Sequence, residues 1–342
     1  LDFPHLMLRY RAIEHKKGKT SKIDEQLKET DRNGKLAGLA PSISNWASSR
    51  KNGLTRPIMQ SVLDIHKDAE LPQYANKTFA KQAKANPPSV NKAAPAHKRK
   101  AVLYATCFAN YNDPEIGLAA QSVLALNGVE TEIVYPECCG MPQIEHGDIS
   151  RVAQKAKNVS AALKPYINDG YDVIALVPSC ALMLKFEWPL ILPDDEDVKL
   201  LSQASFDISE YVVNIAKNEG LAEGLKPLDG GVSVHISCHA RAQNMGQKAA
   251  EMMKLIPDIS LKVVERCSGH GGAWGVKVEN FETALKVGRP VYRQMANNGE
   301  SRYIVSECPL AGVHIAQGME QSNTSQDTPT IPHPIVLLAR SY

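Results

Sequence analysis

Residues 131–142 read Thr-Glu-Ile-Val-Tyr-Pro-Glu-Cys-Cys-Gly-Met-Pro, a short apolar run followed by two adjacent cysteines and a glycine. The run at 131–135 predicts a β-strand. Adjacent cysteines form a strained ring if they bond to each other, so such a pair usually binds something outside itself. Soft thiolates select zinc and iron–sulfur species. The stretch therefore predicts a strand that delivers Cys138 and Cys139 to a metal or to an iron–sulfur cluster.

Strand-like and helix-like runs alternate on both sides of this stretch, over residues 100–342. Residues 172–178, Asp-Val-Ile-Ala-Leu-Val-Pro, are apolar enough for a strand buried on both faces. Strands are predicted at 101–106, 131–135, 172–178, 232–237, 261–265 and 302–306, and helices at 114–127, 149–168, 243–255, 281–297 and 312–319. This alternation is typical of parallel sheets in right-handed βαβ units, so the predicted fold class is α/β.

The seven cysteines all follow predicted strands closely. They are Cys107, Cys138, Cys139, Cys180, Cys238, Cys267 and Cys308. Open α/β sheets bind their ligands at the carboxyl ends of the strands, where helix N-termini also favour thiolates. A lone cysteine is most simply a buried apolar residue. Seven at equivalent points indicate a binding function instead.

The chain repeats itself with a nearly constant offset. Cys107 and Cys238 are 131 residues apart, Cys138 and Cys267 129, and Cys180 and Cys308 128. Such an offset predicts an internal duplication. We expect two small parallel-sheet domains of βαβ type, at 100–193 and 230–342, joined by a helical connection at 194–229.

The N-terminal third has a different texture. Residues 1–81 predict helices with polar joints, and an apolar stripe recurs at helical spacing. Phe3, Leu6, Met7, Tyr10 and Ile13 form this stripe. Its simplest interpretation is a face that packs on the protein core; the alternative is packing on a partner protein. Residues 82–99, rich in Pro, Ala and Lys, predict a linker.

Charge is unevenly distributed along the chain. Residues 1–100 carry 20 Lys and Arg against 9 Asp and Glu, whereas the remaining residues carry 19 against 28. The excess of basic residues in 1–100 forms either a solvated surface or a docking surface for an acidic partner or anionic lipid. Arginine–aromatic clustering typical of nucleic-acid binding is missing. Seven widely spread cysteines in a chain of this size predict a reducing, cytoplasmic location.

The spacing of the cysteines resembles a known family. The cysteine-rich CCG domain has a characteristic pattern, which this sequence resembles. A first cysteine is followed after about thirty residues by Cys-Cys-Gly, and after about forty more residues by a further cysteine. The domain occurs twice in the B subunit of heterodisulfide reductase and in the C subunit of anaerobic glycerol-3-phosphate dehydrogenase, and also in lactate-utilisation iron–sulfur proteins. The segments 265–272, Glu-Arg-Cys-Ser-Gly-His-Gly-Gly, and 307–312, Glu-Cys-Pro-Leu-Ala-Gly, most resemble bacterial heterodisulfide reductase-related iron–sulfur proteins.

This resemblance implies further expectations. Residues 2–9 look like the segment that follows a two-cluster ferredoxin module in those relatives, a module expected before Leu1 and missing from this chain. A full motif supplies five cysteines, but Met183 replaces one in the first copy, and Ser268 and Ala311 replace two in the second. Neither copy is therefore expected to hold the five-cysteine non-cubane cluster of heterodisulfide reductase.

Two cofactor sites follow from the remaining ligands. Cys107, Cys138, Cys139 and Cys180, the first cysteine set, suit an iron–sulfur cluster, expected to be of the 4Fe-4S type, or a tetrahedral zinc. Cys238, Cys267 and Cys308, the second cysteine set, leave one position for water, substrate or a histidine. His239 and His270 are the candidates for this position, and each could equally be a neighbouring hydrogen-bonded residue.

Two functional hypotheses remain open. The first is an iron–sulfur oxidoreductase subunit that relays electrons from a ferredoxin module or dehydrogenase partner to a thiol, disulfide or quinone-linked acceptor. It would act in the cytoplasm or at the cytoplasmic face of the inner membrane, with peripheral membrane association through the basic N-terminal segment. The second is a zinc-binding scaffold that docks a redox partner and transfers no electrons.

Overall fold

The computed structural model describes residues 2–296, 301–322 and 330–342. The predicted end of one helix, Asn297, lies outside these ranges. The first sheet is parallel, with strand order β2-β1-β3-β4. Its strands are β1 (Lys100–Tyr104), β2 (Glu130–Val134), β3 (Asp172–Ala175) and β4 (Ser205–Asp207). The buried strand predicted at 172–178 is confirmed for Asp172–Ala175, where Val173, Ile174 and Ala175 are fully buried, but it ends before Pro178, which begins a helix.

The second sheet repeats the first with one strand fewer. Its parallel strands, in the order β6-β5-β7, are β5 (Gly231–His235), β6 (Leu261–Val264) and β7 (Ser301–Ser306). In both sheets the first strand of the repeat lies in the centre and pairs with the two that follow. The predicted α/β fold and its duplication are confirmed.

Helices connect and cover the strands of both repeats. Those of the first repeat are α7 (Cys107–Tyr111), α8 (Pro114–Leu126), α9 (Met141–Glu145), α10 (Ile149–Asn168), α11 (Pro178–Leu182), α12 (Trp188–Ile191), α13 (Glu196–Ala204) and α14 (Ile208–Asn218), with a π-helical turn at Met183–Glu187. Those of the second are α15 (Cys238–Ala242), α16 (Lys248–Met253), α17 (Phe281–Ala296), α18 (Pro309–Gln321) and α19 (Pro334–Ser341), with a 3₁₀ turn at Trp274–Val276. The short helices that begin at cysteines were not predicted, because five residues are too few to show a period.

One apolar core runs through both repeats. Leu103 and Ile174 of the first sheet and Val232 and Val234 of the second belong to the same buried cluster. The C-terminal helix α19 completes it, and its Leu337 is fully buried. The repeats are therefore packed together rather than strung loosely along the chain.

Six helices precede the first strand in the described part of the chain, from residue 2 onward. They are α1 (Phe3–Lys16), α2 (Lys22–Leu27), α3 (Thr30–Ala37), α4 (Pro41–Ser48), α5 (Thr55–Leu63) and α6 (Phe79–Ala85). The helical character predicted for this segment is confirmed. The core-facing interpretation of the apolar stripe on α1 is wrong: Phe3, Tyr10 and Ile13 are 61%, 56% and 52% exposed. Leu8, on another side of α1, packs on the core instead. A period shows which residues share a face, but not what covers that face.

Two segments, predicted as a linker and as a helical connection, contain structure that the sequence did not predict. Helix α6 runs across the start of the linker predicted at 82–99, and Ala94 and Ala96 within that stretch are buried. The connection predicted as helical at 194–229 contains β4, whose three residues pair with β3. A three-residue strand leaves no periodic signal in a sequence. The division into domains itself stays a prediction.

Helices within the described ranges differ widely in length, from the 4 residues of α12 to the 20 residues of α10. None of them combines the length and apolar character needed to cross a bilayer.

Candidate metal centres at the strand ends

The first cysteine set converges at the carboxyl edge of the first sheet. Cys107 begins α7 after β1, the Cys138–Cys139 pair follows β2, and Cys180 lies in α11 after β3. The sulfurs of Cys107 and Cys138 are 3.7 Å apart. Cys139 contacts both Cys138 and Cys180 through its thiol. The four thiols, predicted to meet from positions up to 73 residues apart in sequence, are thus brought together.

Contact between the thiols shifts their pKa values in opposite directions. Hydrogen bonds from Cys107 and Cys139 hold the pKa of Cys138 well below its usual range. The pKa of Cys107 is raised by its bond to Cys138 and by burial, and that of Cys139 by its bonds to Cys138 and Cys180 and by burial. Cys138 is therefore more acidic than Cys107 and Cys139, and further buried negative charge is unfavourable without a cation. This donor set fits an iron-containing group, which would supply that positive charge.

The side chains of the described residues, as they stand, are not arranged around a single metal ion. Across residues 2–296, 301–322 and 330–342, no three His, Cys, Asp or Glu side chains are arranged to hold a single metal ion. None of the seven cysteines forms a disulfide, so all seven are free thiols.

Neighbouring side chains fix the loop that carries the cysteine pair. Trp188, fully buried, donates its indole N–H to the Cys139 carbonyl oxygen at 3.1 Å. Tyr104 donates its hydroxyl to the Glu137 carbonyl oxygen at 2.6 Å. From the N-terminal helices, Asp31 accepts the Cys138 N–H at 2.8 Å. Sequence reasoning missed Asp31, because 107 residues separate it from Cys138 and no motif links them.

The second cysteine set is more open to solvent. Cys238 and Cys267 are exposed and their thiols contact each other, whereas Cys308, just before α18, is buried. The bond from Cys267, together with Arg241, lowers the pKa of Cys238 to about 6, against the effect of burial. Burial raises the pKa of Cys308 to about 11. Cys238 is thus a thiolate near neutral pH, and its sulfur receives an Arg241 N–H at 3.6 Å.

The histidines near the second cysteine set differ in what they bond. Nδ1 of His239 lies 2.8 Å from the Ser179 hydroxyl, so this ring bridges toward the first cysteine set. Burial lowers the pKa of His270 to about 3, with His314 also contributing, so its imidazole is neutral. His235 uses both ring nitrogens, on Ser306 and on the Arg266 carbonyl, as expected for a structural residue. His314 was missed: it is buried and its Nε2 has no hydrogen-bond partner.

Glycines shape the loop after Cys267. Gly269, Gly271 and Gly272 have φ values of +86°, +53° and +61°. Glycine adopts positive φ without the steric cost that a Cβ would add. Gly140, the equivalent of Gly269 in the first repeat, has φ +87°. The two copies of the Cys-x-Gly turn therefore share one backbone conformation.

The three positions at which the resemblance implies a further cysteine hold buried residues. Met183 is fully buried at the start of the π-helical turn, and Ser268 and Ala311 are 4% and 2% exposed. All three positions therefore belong to the packed interior.

Comparison with known proteins places this geometry in a family. The model of the cysteine-rich CCG domain matches residues 101–185 and 232–316, the two repeats just described. The chain belongs to the CCG domain family and contains the domain twice. Each matched range starts within the first strand of its repeat and ends beyond the last cysteine. The resemblance inferred from the cysteine spacing is confirmed.

Three similar proteins match different lengths of this chain. The C subunit of the anaerobic glycerol-3-phosphate dehydrogenase of Escherichia coli (strain K12) is 29% identical over 318 residues, 92% of this chain and 76% of that protein. Lactate utilization protein A of Bacillus pumilus is 28% identical over 190 residues, 52% of this chain and 76% of that protein. The B subunit of the fumarate reductase (CoM/CoB) of Methanothermobacter marburgensis is 26% identical over 225 residues, 64% of this chain and 42% of that protein. The chain is thus homologous to a dehydrogenase subunit, a reductase subunit and a lactate utilization protein.

Proposed function

We propose that this chain is an iron–sulfur electron-transfer subunit. The observation that carries the proposal is the contact among four thiols at one sheet edge of a CCG domain. In this proposal the first cysteine set holds a cluster of the 4Fe-4S type, which when bound supplies a one-electron carrier. Electrons enter from a ferredoxin module or a dehydrogenase partner and leave toward a thiol, disulfide or quinone-linked acceptor near the second cysteine set.

The protein's own residues would prepare the first site for that role. Trp188 fixes the Cys139 backbone, and the buried walls around Cys138 and Cys180 keep water away from the sulfurs. Limited solvent access and oriented hydrogen bonds set the potential of such a centre.

The second cysteine set is proposed to hold either a second cluster or zinc. Three thiols with a neutral imidazole would make up a Cys₃His ligand set, and the low pKa of His270 keeps its ring neutral, as a metal ligand must be. His239 is the alternative, although its Nδ1 is already engaged by Ser179. Zinc at both sites without a redox signal would favour the second hypothesis, a scaffold that docks a redox partner.

The decisive experiment replaces Cys138 and Cys139 together with serine. Protein purified without air is expected to lose the iron of the first site and its visible absorption, while metal bound by the second cysteine set remains, because the two sets are separate. Iron and zinc per chain are measured together with electron paramagnetic resonance. The matched control replaces Cys238 and Cys267 with serine and should give the converse result. Absence of iron from the unsubstituted protein after anaerobic reconstitution would rule the proposal out.

We also propose that the N-terminal helices dock on an anionic membrane surface. Twelve large apolar side chains between Phe3 and Val62 are exposed, against six in all later described residues. The exposed apolar stripe of α1 lies beside Arg9 and Lys16, which are also exposed. An apolar face bordered by cations is typical of helices that lie in the bilayer interface. The site of action would then be the cytoplasmic face of the inner membrane.

Vesicle binding tests this docking proposal. Replacing Leu6 and Ile13 with aspartate is expected to weaken co-sedimentation with phosphatidylglycerol vesicles by more than about tenfold, because apolar burial is lost and charge repulsion is added. Val287→Asp, at a residue 45% exposed on the second repeat, is the matched control. Equal binding by all three proteins, or by phosphatidylcholine vesicles, would contradict the proposal.

A further inference from the structure

Asp31 links the N-terminal helices to the loop of the first cysteine set. It lies in the first turn of α3, and its carboxylate accepts hydrogen bonds from two groups of that loop. Oδ2 accepts the Cys138 N–H at 2.8 Å, and Oδ1 accepts the Tyr135 hydroxyl. The side chain is 17% exposed, so solvent screens its charge only partly. A carboxylate from a distant part of the chain thus touches the backbone of a candidate ligand.

The charge of Asp31 is only partly balanced. Lys155 lies 3.2 Å from Oδ2 of Asp31 and 2.9 Å from Oε2 of Glu137. One buried cation therefore serves two carboxylates, which leaves one net negative charge in this network beside Cys138. Like charges in a partly buried setting interact more strongly than at the surface. Any group that gains an electron at Cys138 would experience this charge.

Residues next to Asp31 anchor it to the first CCG domain. Lys28, 2% exposed, pairs with Asp148 at 2.8 Å. The carbonyl oxygen of Lys28 accepts the Gln143 side-chain N–H at 2.9 Å. Thr30 lies beside Cys138, and its hydroxyl oxygen is buried. The sulfur of Cys138 is an acceptor for this hydroxyl, and the interaction is strongest when the sulfur is a thiolate.

We propose that Asp31 is a positioning residue of the first cysteine set: it holds the Cys138 loop through the backbone and lowers the reduction potential of the group bound there. The second half of this statement rests on the proposed function. Reduction adds one electron to that group and makes it more negative by one charge. Because the carboxylate of Asp31 repels this added charge, it favours the oxidised form.

The test compares Asp31→Asn with Glu29→Gln. Asparagine keeps an oxygen that can accept the Cys138 N–H, so the loop stays in place while the charge is removed. Glu29 is a matched control because it pairs with Arg151 and contacts neither Tyr135 nor Cys138. In an anaerobic titration with dithionite, D31N is expected to make the reduction potential more positive by at least about 59 mV for one electron, which lowers the oxidised-to-reduced ratio at a fixed potential at least tenfold. E29Q is expected to shift it less than about threefold.

Metal-free protein tests the positioning half separately. Asp31→Ala removes both acceptors and is expected to make Cys138 react faster with iodoacetamide, followed by peptide mass spectrometry, whereas D31N keeps the slow rate. Equal alkylation rates in D31A and the unsubstituted protein would overturn the positioning role. An unchanged potential in D31N would overturn the electrostatic role. If no redox-active group binds at all, the proposed function fails, and the alkylation result still decides whether Asp31 holds the loop.

Discussion

Replacing Arg56 with methionine is expected to lower the free energy of unfolding by about 3 kcal/mol or more. Arg56 is 1% exposed and donates to four backbone carbonyl oxygens. The acceptors are Lys67 at 2.9 Å, Ser48 at 3.1 Å, and His66 and Ala69 at 2.7 Å each. Each carbonyl that methionine leaves buried and unpaired costs about 1–3 kcal/mol. Lysine would not rescue the fold, because it lacks the planar set of donors.

The loss of stability in R56M should also affect the second CCG domain. The segment that Arg56 holds forms an antiparallel bridge between Ile65 and Lys277. His66 donates its backbone N–H to Val276 at 2.8 Å and stacks on Phe281 at 4.2 Å. This contact lies just after the glycine loop of the second cysteine set. We therefore expect R56M to expose the loop to proteases before the first sheet unfolds.

Urea unfolding and limited proteolysis measure the two effects of R56M. Lys51→Met is the control, since Lys51 is exposed and near Arg56 in sequence. Equal urea midpoints for R56M and K51M would show that the four hydrogen bonds contribute no net stability. First cleavage within the first sheet would contradict the expected order of unfolding.

The sequence predicted the strands other than β4, and the convergence of the cysteines, because both depend on local patterns. A buried strand such as β3 is marked by its own apolar residues, and parallel pairing then places Cys107 and Cys180 at one edge. Because the chain is duplicated, the position of the second cysteine set could be predicted from that of the first.

Other features depend on contacts between distant segments and left no such pattern. The hydrogen bond from Cys138 to Asp31 and the four carbonyls around Arg56 join residues whose spacing follows no period. The exposure of the stripe on α1 was mispredicted for the same reason, since the partner of a face is not encoded in the face. His314 belongs to this class too: it lies in a regular helix, and only packing brings it near His270.

The glycines of the two Cys-x-Gly turns give the second large prediction. Gly140 and Gly269 share the same left-handed backbone, with φ of +87° and +86°, so alanine at either position has a similar conformational cost of about 1 kcal/mol. Their surroundings differ. A Cβ on Gly140 would lie 3.5 Å from Lys155 and Val152, which is ordinary contact. A Cβ on Gly269 would lie 2.2 Å from the Ala284 carbonyl oxygen of α17.

Helix α17 also has a glycine where it approaches this loop. Its Gly288 would, with a Cβ, lie 2.2 Å from the Ser268 carbonyl oxygen. Two glycines thus let the loop of Cys267 pack on the backbone of α17, whereas in the first repeat the side chains of α10 fill the corresponding contact. Gly269→Ala must push the loop or the helix away, and both are backbone.

We expect Gly140→Ala to cost about 1 kcal/mol and Gly269→Ala at least about 3 kcal/mol in urea unfolding, the difference being the steric part alone. Gly170→Ala, with φ +84° and no atom within 4 Å, measures the conformational part by itself. In G269A, Cys267 should also separate from Cys238, so that the low pKa of Cys238, about 6, rises toward the ordinary thiol value. The pH dependence of Cys238 alkylation follows this change. If G269A and G140A were equally stable, the loop would have to accommodate a Cβ against α17, and the tight contact could not be what fixes the second cysteine set.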